Sequence, residues 1–254
     1  MRLTLVKIGG GLLESPDLLA ATLDAFSALE GGKLLIHGGG RAATDLAHRL
    51  DIQAPLIDGR RVTSPAMLEI ALMVYGGLMS RQLVADLQSR GLDALGLTGA
   101  DLDLIRAARR PVAEIDYGLV GDIERVNAER LALLIELGTV PVLAPLTHDG
   151  QGQLLNTNAD TIAASVAIAL ADRFEVQLIF AFERPGVLTD PQDDASLLAS
   201  LSEAQAQAYQ AQGVIAGGML PKLHNAWQAL RGGARQVLIG QAQAGRFVGT
   251  SLHL

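Results

Sequence analysis

The sequence predicts an α/β/α sandwich with a mainly parallel central sheet, and three observations carry that prediction. Short apolar runs that read as buried strands alternate with stretches whose apolar residues recur at helical spacing. The first two such runs each end in a glycine triplet, Gly9-Gly10-Gly11 and Gly38-Gly39-Gly40. A strand–glycine–helix unit is therefore written twice in the first third of the chain, the pattern of parallel strands joined by crossover helices. Finally, the 254 residues are 49% hydrophobic and 19% charged, enough apolar matter for substantial cores and too little charge for disorder.

Taken in order, residues 1–8 read as a strand stopped by the first triplet. Leu19, Leu23, Phe26 and Leu29 form a helical stripe over 16–29. A second strand over 33–37 precedes the second triplet, and a helix over 41–50 follows. Residues 66–90 carry a long helical pattern, 93–97 a strand, and 104–122 an irregular stretch read as hairpins. Asn127 is placed to cap a helix through Leu137. Residues 140–144 form another apolar strand, and 153–156 an extended piece running into a helix over 158–170. A buried strand follows at 176–181. Ser202 and Gln205 make a capping box for a helix that stops at Gly213. A helix over 221–230, with Pro221 at its first position, ends at Gly232-Gly233, and 236–239 is the last clear strand. The polar stretch 190–195 is the expected surface loop, and no linker or low-complexity segment divides the chain.

Composition excludes several classes. The net charge is −7 with no extended Lys/Arg run, so nucleic-acid binding through a basic face is not expected. The absence of cysteine excludes disulfides, thiolate metal sites and a cysteine nucleophile, and is compatible with a reducing cytoplasm. The opening apolar run is broken early by Lys7 and is too short for a signal peptide. No apolar stretch approaches the ~20 residues needed to span a membrane.

The glycine triplets sit where open parallel sheets hold ligands, beyond the carboxyl ends of strands. Each is either a tight turn or an anion cradle. Glycine lets the backbone approach an anion closely and point several N–H groups at it. Two triplets at equivalent positions, one beside Lys7, weigh toward anion binding. Rival readings are weaker. Gly38-Gly39-Gly40-Arg41-Ala42-Ala43 fits G-x-G-x-x-A with Asp58 following, but that pattern belongs to the first strand of a dinucleotide fold, and Asp58 lies in a polar loop. His37-Gly38-Gly39-Gly40 resembles the oxyanion-hole segment of esterases, yet no G-x-S-x-G elbow accompanies it. The P-loop pattern G-x-x-x-x-G-K-[ST] and the zinc-protease pattern H-E-x-x-H are absent.

Five blocks in register resemble the amino-acid kinase superfamily, and within it the acetylglutamate kinase family, with order and spacing that match from Lys7 to the Gly249-Thr250 near the end. They are Val6-Lys7-Ile8-Gly9-Gly10, Ile36-His37-Gly38-Gly39-Gly40, Asp58-Gly59-Arg60-Arg61-Val62-Thr63, Asn156-Thr157-Asn158-Ala159-Asp160 and Gly217-Gly218-Met219-Leu220-Pro221-Lys222. The resemblance implies transfer of the γ-phosphoryl group of ATP, with Mg²⁺, to the side-chain carboxylate of N-acetyl-L-glutamate, a step of arginine biosynthesis. It implies that Lys7 bridges the transferring phosphoryl group, that Lys222 stabilises the departing ADP, and that Asp160 holds the two lysines. Gly10, Gly11 and Gly218 would meet phosphate oxygens. Gly38, Gly39, Arg61, Asn156 and Asn158 would bind the acylated amino acid, with no metal held by the protein itself. The N-terminal half, about 1–172, would bind that substrate and dimerise, and the C-terminal part, about 173–254, would bind the nucleotide.

Taken alone, these residues admit plainer readings: Lys7 as an exposed strand end, Asp160 as a carboxylate favouring a helix dipole. The Arg106, Arg109 and Arg110 cluster reads as a solvated face. One segment departs from the family pattern: where S/T-D-V-x-G-V is usual, the chain has Ala181-Phe182-Glu183-Arg184-Pro185-Gly186-Val187. Arginine-inhibited members carry an extra N-terminal helix, so a chain opening at its first strand implies a cytoplasmic homodimer without arginine feedback. N-succinyl-glutamate, carrier-linked aminoadipate and a non-catalytic sensor of the same fold are the alternatives.

Overall fold

The computed structural model describes residues 1–57 and 60–254, so the Asp58 and Gly59 of the third block lie outside the described residues. The chain forms two compact units. One comprises Met1–Leu34 together with Ala163–Leu254, the other Leu35–Ile162.

In the first unit, strands run in the order Ser200–Ser202, Arg246–His253, Gln236–Gln243, Glu175–Ala181 and Arg2–Ile8. The last three are mutually parallel. Leu3, Leu5, Val6 and Ile8 are fully buried, which fits a strand covered on both faces, where apolar residues run on instead of alternating. The helix Pro16–Ser27 starts with proline at its first position and buries Leu23 and Phe26, much as the stripe predicts. Ser202 and Gln205 form the expected capping box on the helix Glu203–Ala211.

Two expectations in this unit are corrected. The chain does not end its strands at 239: that strand reaches Gln243 and pairs antiparallel with Arg246–His253. The two-residue turn between them is Ala244-Gly245, both at positive φ. Hairpins of this kind favour Asn or Asp before Gly, so an Ala-Gly turn gave no signal. The helix expected over 221–230 begins at Met219. Pro221 is therefore its third residue, still in the first turn, where a missing N–H breaks no helical bond.

In the second unit, the parallel order is Gly32–His37 (only its last three residues belong here), Val140–Leu143 and Ala94–Leu97. A second sheet orders Leu154–Asn156, Leu146–His148, Ile105–Arg109 and Gly121–Val126. Its Ile105–Arg109 and Gly121–Val126 pair realises the expected hairpin region. Asn127 caps Ala128–Glu136 by accepting from the Arg130 amide at 3.2 Å.

The long helix expected over 66–90 is interrupted. It runs as Pro65–Ala71, a π-helical stretch Leu72–Met79, and Ser80–Gln88. The widened turn includes Gly76 and Gly77, and such bulges are frequent at functional sites. Met67, Ile70, Val74 and Tyr75 from this segment pack with Ala43 and Leu146 in one core cluster.

The capping box yields a direct check. Ser202→Ala removes an acceptor 3.2 Å from the Gln205 amide and is expected to lower stability by about 1 kcal/mol. An unchanged urea midpoint would mean the cap contributes nothing.

Candidate active site

In the unit of residues 35–162, the second glycine triplet leaves the strand Gly32–His37 and opens the helix Gly40–Arg49. Gly39 has φ +149, and a Cβ there would sit 2.3 Å from Met79 Sδ and 3.0 Å from the Tyr75 ring. Only glycine allows that approach to the π-helical stretch.

Arg61 reaches the same loop. Its Nη2 donates to the Gly40 carbonyl at 2.6 Å and to Thr44 Oγ1 at 2.7 Å, and Nη1 donates to the Ala54 carbonyl at 3.2 Å. The residue is only 6% exposed, yet each of these partners is neutral, and no carboxylate pairs with it among the described residues. Burial pushes the neighbouring Tyr75 hydroxyl up in pKa, and the Arg61 charge partly opposes that rise. A buried cation normally has an ionic partner. One held by neutral acceptors is arranged for an anion that arrives from outside.

Asn156 joins this group: its Nδ2 donates to Thr63 Oγ1 at 3.0 Å. The fully buried Thr63 in turn donates to the Arg61 carbonyl at 3.1 Å. The structure thus gathers Gly39, Arg61 and Asn156, three of the sequence-predicted residues, through Thr63 and Gly40. Asn158 is differently employed. Its Oδ1 accepts from the Asp160 amide at 2.9 Å and the Thr161 amide at 3.1 Å, capping the helix Ala159–Leu170. Asp160 lies half-buried in the first turn of that helix.

The other unit presents Lys7, the penultimate residue of the strand Arg2–Ile8, and only 6% exposed. This excludes the exposed-strand-end reading. Lys7 stands opposite Phe180 in the parallel pairing, so the two side chains share one face of the sheet. The Lys222 ammonium lies 5.4 Å from the centre of the Phe180 ring and 5.9 Å from that of Phe182. Both lysines therefore border Phe180. The aromatic faces offset part of the cost of burying Lys222, which is 9% exposed.

The first triplet follows at once. Gly9 donates to the Ala181 carbonyl at 2.9 Å, and Gly11 lies against the Glu183 carboxylate, which a Cβ there would meet at 2.7 Å. Gly218 caps the helix that carries Lys222. Beside these residues is a cavity of about 530 Å³ lined by Phe182, Gly186, Val187, Asp190, Ile215 and Met219, among others. The segment that departs from the family pattern thus forms one wall of a pocket.

Sequence reasoning missed Phe180 and Phe182, which look like ordinary strand apolars, and Tyr75 and Thr63, whose contacts join distant parts of the chain. It set aside the Arg106, Arg109 and Arg110 cluster, and the structure agrees. Each has an acidic partner: Asp103 for Arg106 at 2.7 Å, Asp116 for Arg109 at 3.5 Å and Asp122 for Arg110. Among the described residues, no group of three or more His, Asp or Glu side chains is placed to hold a metal ion.

With this geometry in view, likeness to known proteins becomes informative. Residues 2–241 match the Amino acid kinase family, and the chain belongs to that family. It is 54% identical over 241 residues to an acetylglutamate kinase of Parabacteroides distasonis, covering 95% of this chain and 94% of the relative. An acetylglutamate kinase of Bacteroides fragilis is 51% identical over 243 residues, covering 96% and 93%. Among solved structures, smu.665 from Streptococcus mutans UA159 has a TM-score of 0.81 at 29% identity and covers 98% of both chains. The expected α/β class with its mainly parallel strands is the fold observed.

His37 gives this site a measurable pH signature. The ring is buried, and burial lowers its pKa from 6.5 to about 4, opposed in part by its hydrogen bond to Gly38. Between those values the unfolded chain holds a proton that the folded chain does not. Stability is thus complete above pH 6.5 and falls as pH is lowered toward 4, by roughly 3 kcal/mol in all. The urea midpoint of wild type should drop between pH 7 and pH 5 more steeply than that of His37→Leu. Parallel curves for the two proteins would remove the assignment.

Proposed function

We propose that this chain transfers the γ-phosphoryl group of MgATP to the side-chain carboxylate of N-acetyl-L-glutamate, giving the acyl phosphate and ADP. The observation that carries the reading is the pair of buried lysines bordering Phe180 beside a glycine turn. Full-length likeness to acetylglutamate kinases supports the choice of substrate. A carboxylate nucleophile is already ionised at neutral pH, so the reaction needs no general base. What it needs is fixed positive charge and alignment, because two anions must be brought together.

The unit containing Lys7, Lys222 and the cavity beside Phe182 takes the nucleotide. Lys7 neutralises the phosphoryl group in flight, Lys222 the charge developing on ADP, and the amides of Gly10, Gly11 and Gly218 meet phosphate oxygens. Mg²⁺ enters as part of the nucleotide substrate. Exposed and on a flexible stem, the Glu183 side chain can swing from Gly11 as the phosphates enter.

The unit of residues 35–162 takes the acylated amino acid. Arg61 holds its α-carboxylate with a planar fork of donors. Asn156 and the Gly38 and Gly39 amides add polar contacts. Asn158 shapes the start of the helix that presents Asp160, and Asp160 organises the charge around the reacting groups. Retention of Lys7, Lys222 and Asp160 together speaks against a catalytically silent sensor.

The test is ADP release from the purified protein with MgATP and N-acetyl-glutamate, N-succinyl-glutamate or free glutamate. Turnover of the acetyl compound is expected. Tight binding without turnover of any acylglutamate would replace the kinase with a sensor. Lys7→Ala and Lys222→Ala should each lower kcat by about a hundredfold or more with circular dichroism unchanged. Arg61→Ala should raise KM for the acylglutamate about tenfold while leaving KM for MgATP nearly unaltered. Unaltered kinetics in all three variants would dismantle this assignment of roles.

The assembly proposed is a cytoplasmic homodimer. Leu72, Met73 and Leu78 are large apolar side chains exposed on the segment around the π-helical stretch, a surface suited to self-association. Light scattering should give about twice the chain mass of 26.6 kDa. A monomeric mass across the micromolar range would rule the dimer out.

A further inference from the structure

His37 is a buried ionisable group that the proposed chemistry leaves unused. It ends the strand Gly32–His37, and its side chain is fully buried. Nδ1 lies 2.8 Å from the Gly38 carbonyl oxygen. A carbonyl can only accept, so Nδ1 carries the proton and Nε2 is a bare acceptor. Nε2 is buried without a hydrogen-bond partner among the described residues. Stranding an acceptor is costly, and an apolar side chain of similar size would fill the space without that cost. What the imidazole provides, and an apolar group cannot, is a donor for the Gly38 carbonyl.

That hydrogen bond has a geometric consequence. There are no cis peptide bonds, so the C=O and N–H of the Gly38–Gly39 peptide point in opposite directions. With the carbonyl drawn to a buried ring, the Gly39 N–H is turned away from it, beyond the carboxyl end of the strand. Gly39 is confined from another side by Met79 and Tyr75. The Gly40 carbonyl is drawn down in the same manner by Arg61, at 2.6 Å. Two side chains thus fix two peptide planes of one triplet, each carbonyl held by protein and each N–H directed away from that contact.

We infer that His37 is a positioning residue that orients the Gly38–Gly39 peptide so that the Gly39 N–H meets an anionic oxygen of the bound acylated amino acid. The identity of that anion rests on the kinase reading, whereas the peptide orientation rests on the geometry alone. Nδ1 carries a proton in both the neutral and the protonated ring, so the hold on Gly38 does not lapse in the working range. The Asn side chain offers an N–H where His carries Nδ1, and Leu has nearly the shape of Asn with no donor.

The experiment therefore compares wild type, His37→Asn and His37→Leu by steady-state kinetics and crystallography, with melting curves to establish that each folds. His37→Leu should lose about tenfold or more in kcat/KM for N-acetyl-glutamate, with KM for MgATP within about twofold of wild type. His37→Asn should stay within about threefold of wild type. The Gly38–Gly39 peptide should rotate in the Leu variant and keep its plane in the Asn variant. Equal kinetic losses in the two variants, or an undisturbed peptide plane in His37→Leu, overturns the inference. Absence of acylglutamate turnover in wild type would instead count against the kinase reading, and the peptide plane in His37→Leu would then decide this inference by itself.

Discussion

Positive charge withdrawn from water is the constraint around which this chain is built. Lys7, Lys222 and Arg61 are each more than nine-tenths buried. Removing a cation from water costs several kcal/mol unless something replaces the lost hydration. For Lys222 and Arg61 part of that replacement is visible in the packing. Lys222 lies over two phenylalanine rings, and Arg61 is held by carbonyls and a hydroxyl. Carbonyl and hydroxyl dipoles fix the Arg61 cation in place while leaving its charge available. A carboxylate partner would have fixed Arg61 equally well and cancelled the field that an anionic substrate requires.

The glycine triplets follow from the same need. A site that handles several negative oxygens needs more donors than a few long side chains can converge, and backbone amides supply them at no cost in rotamer entropy. The amides must then be aimed, and the second triplet shows how: His37 and Arg61 hold the carbonyls of Gly38 and Gly40, while Met79 and Tyr75 close in on Gly39. The π-helical stretch that supplies Tyr75 and Met79 is an irregularity with a use. A regular helix over 66–90 would carry these side chains at different angles along its axis.

Departure from the family pattern at Ala181-Phe182-Glu183 has a local rationale in the same terms. Phe182 contributes to the aromatic platform under Lys222 and to the wall of the cavity beside it. A bulky aromatic residue in this segment is thus tied to a lysine forty positions on. The change at 181–183 and the burial of Lys222 belong to one arrangement.

Local chemistry was legible from the residues themselves. Strand ends at glycine triplets, the Ser202–Gln205 capping box, the Asn127 cap and the apolar runs all emerge where the residues predict them, because each depends on hydrogen bonds and periodicities spanning a few positions. Motif order alone marked Lys7, Lys222, Arg61 and Asn156 as candidates. Tertiary structure alone decided what surrounds them. Nothing local to Arg61 says that its partners are Gly40, Thr44 and Ala54, and nothing in the strand Glu175–Ala181 says that Phe180 lies between two lysines distant in sequence. Nor does the sequence reveal that residues 1–34 cluster with 163–254, or that an Ala-Gly turn closes the final hairpin. These are long-range choices, made when whole elements bury their apolar faces, and the desolvation that makes a charge useful exists only once that packing is complete.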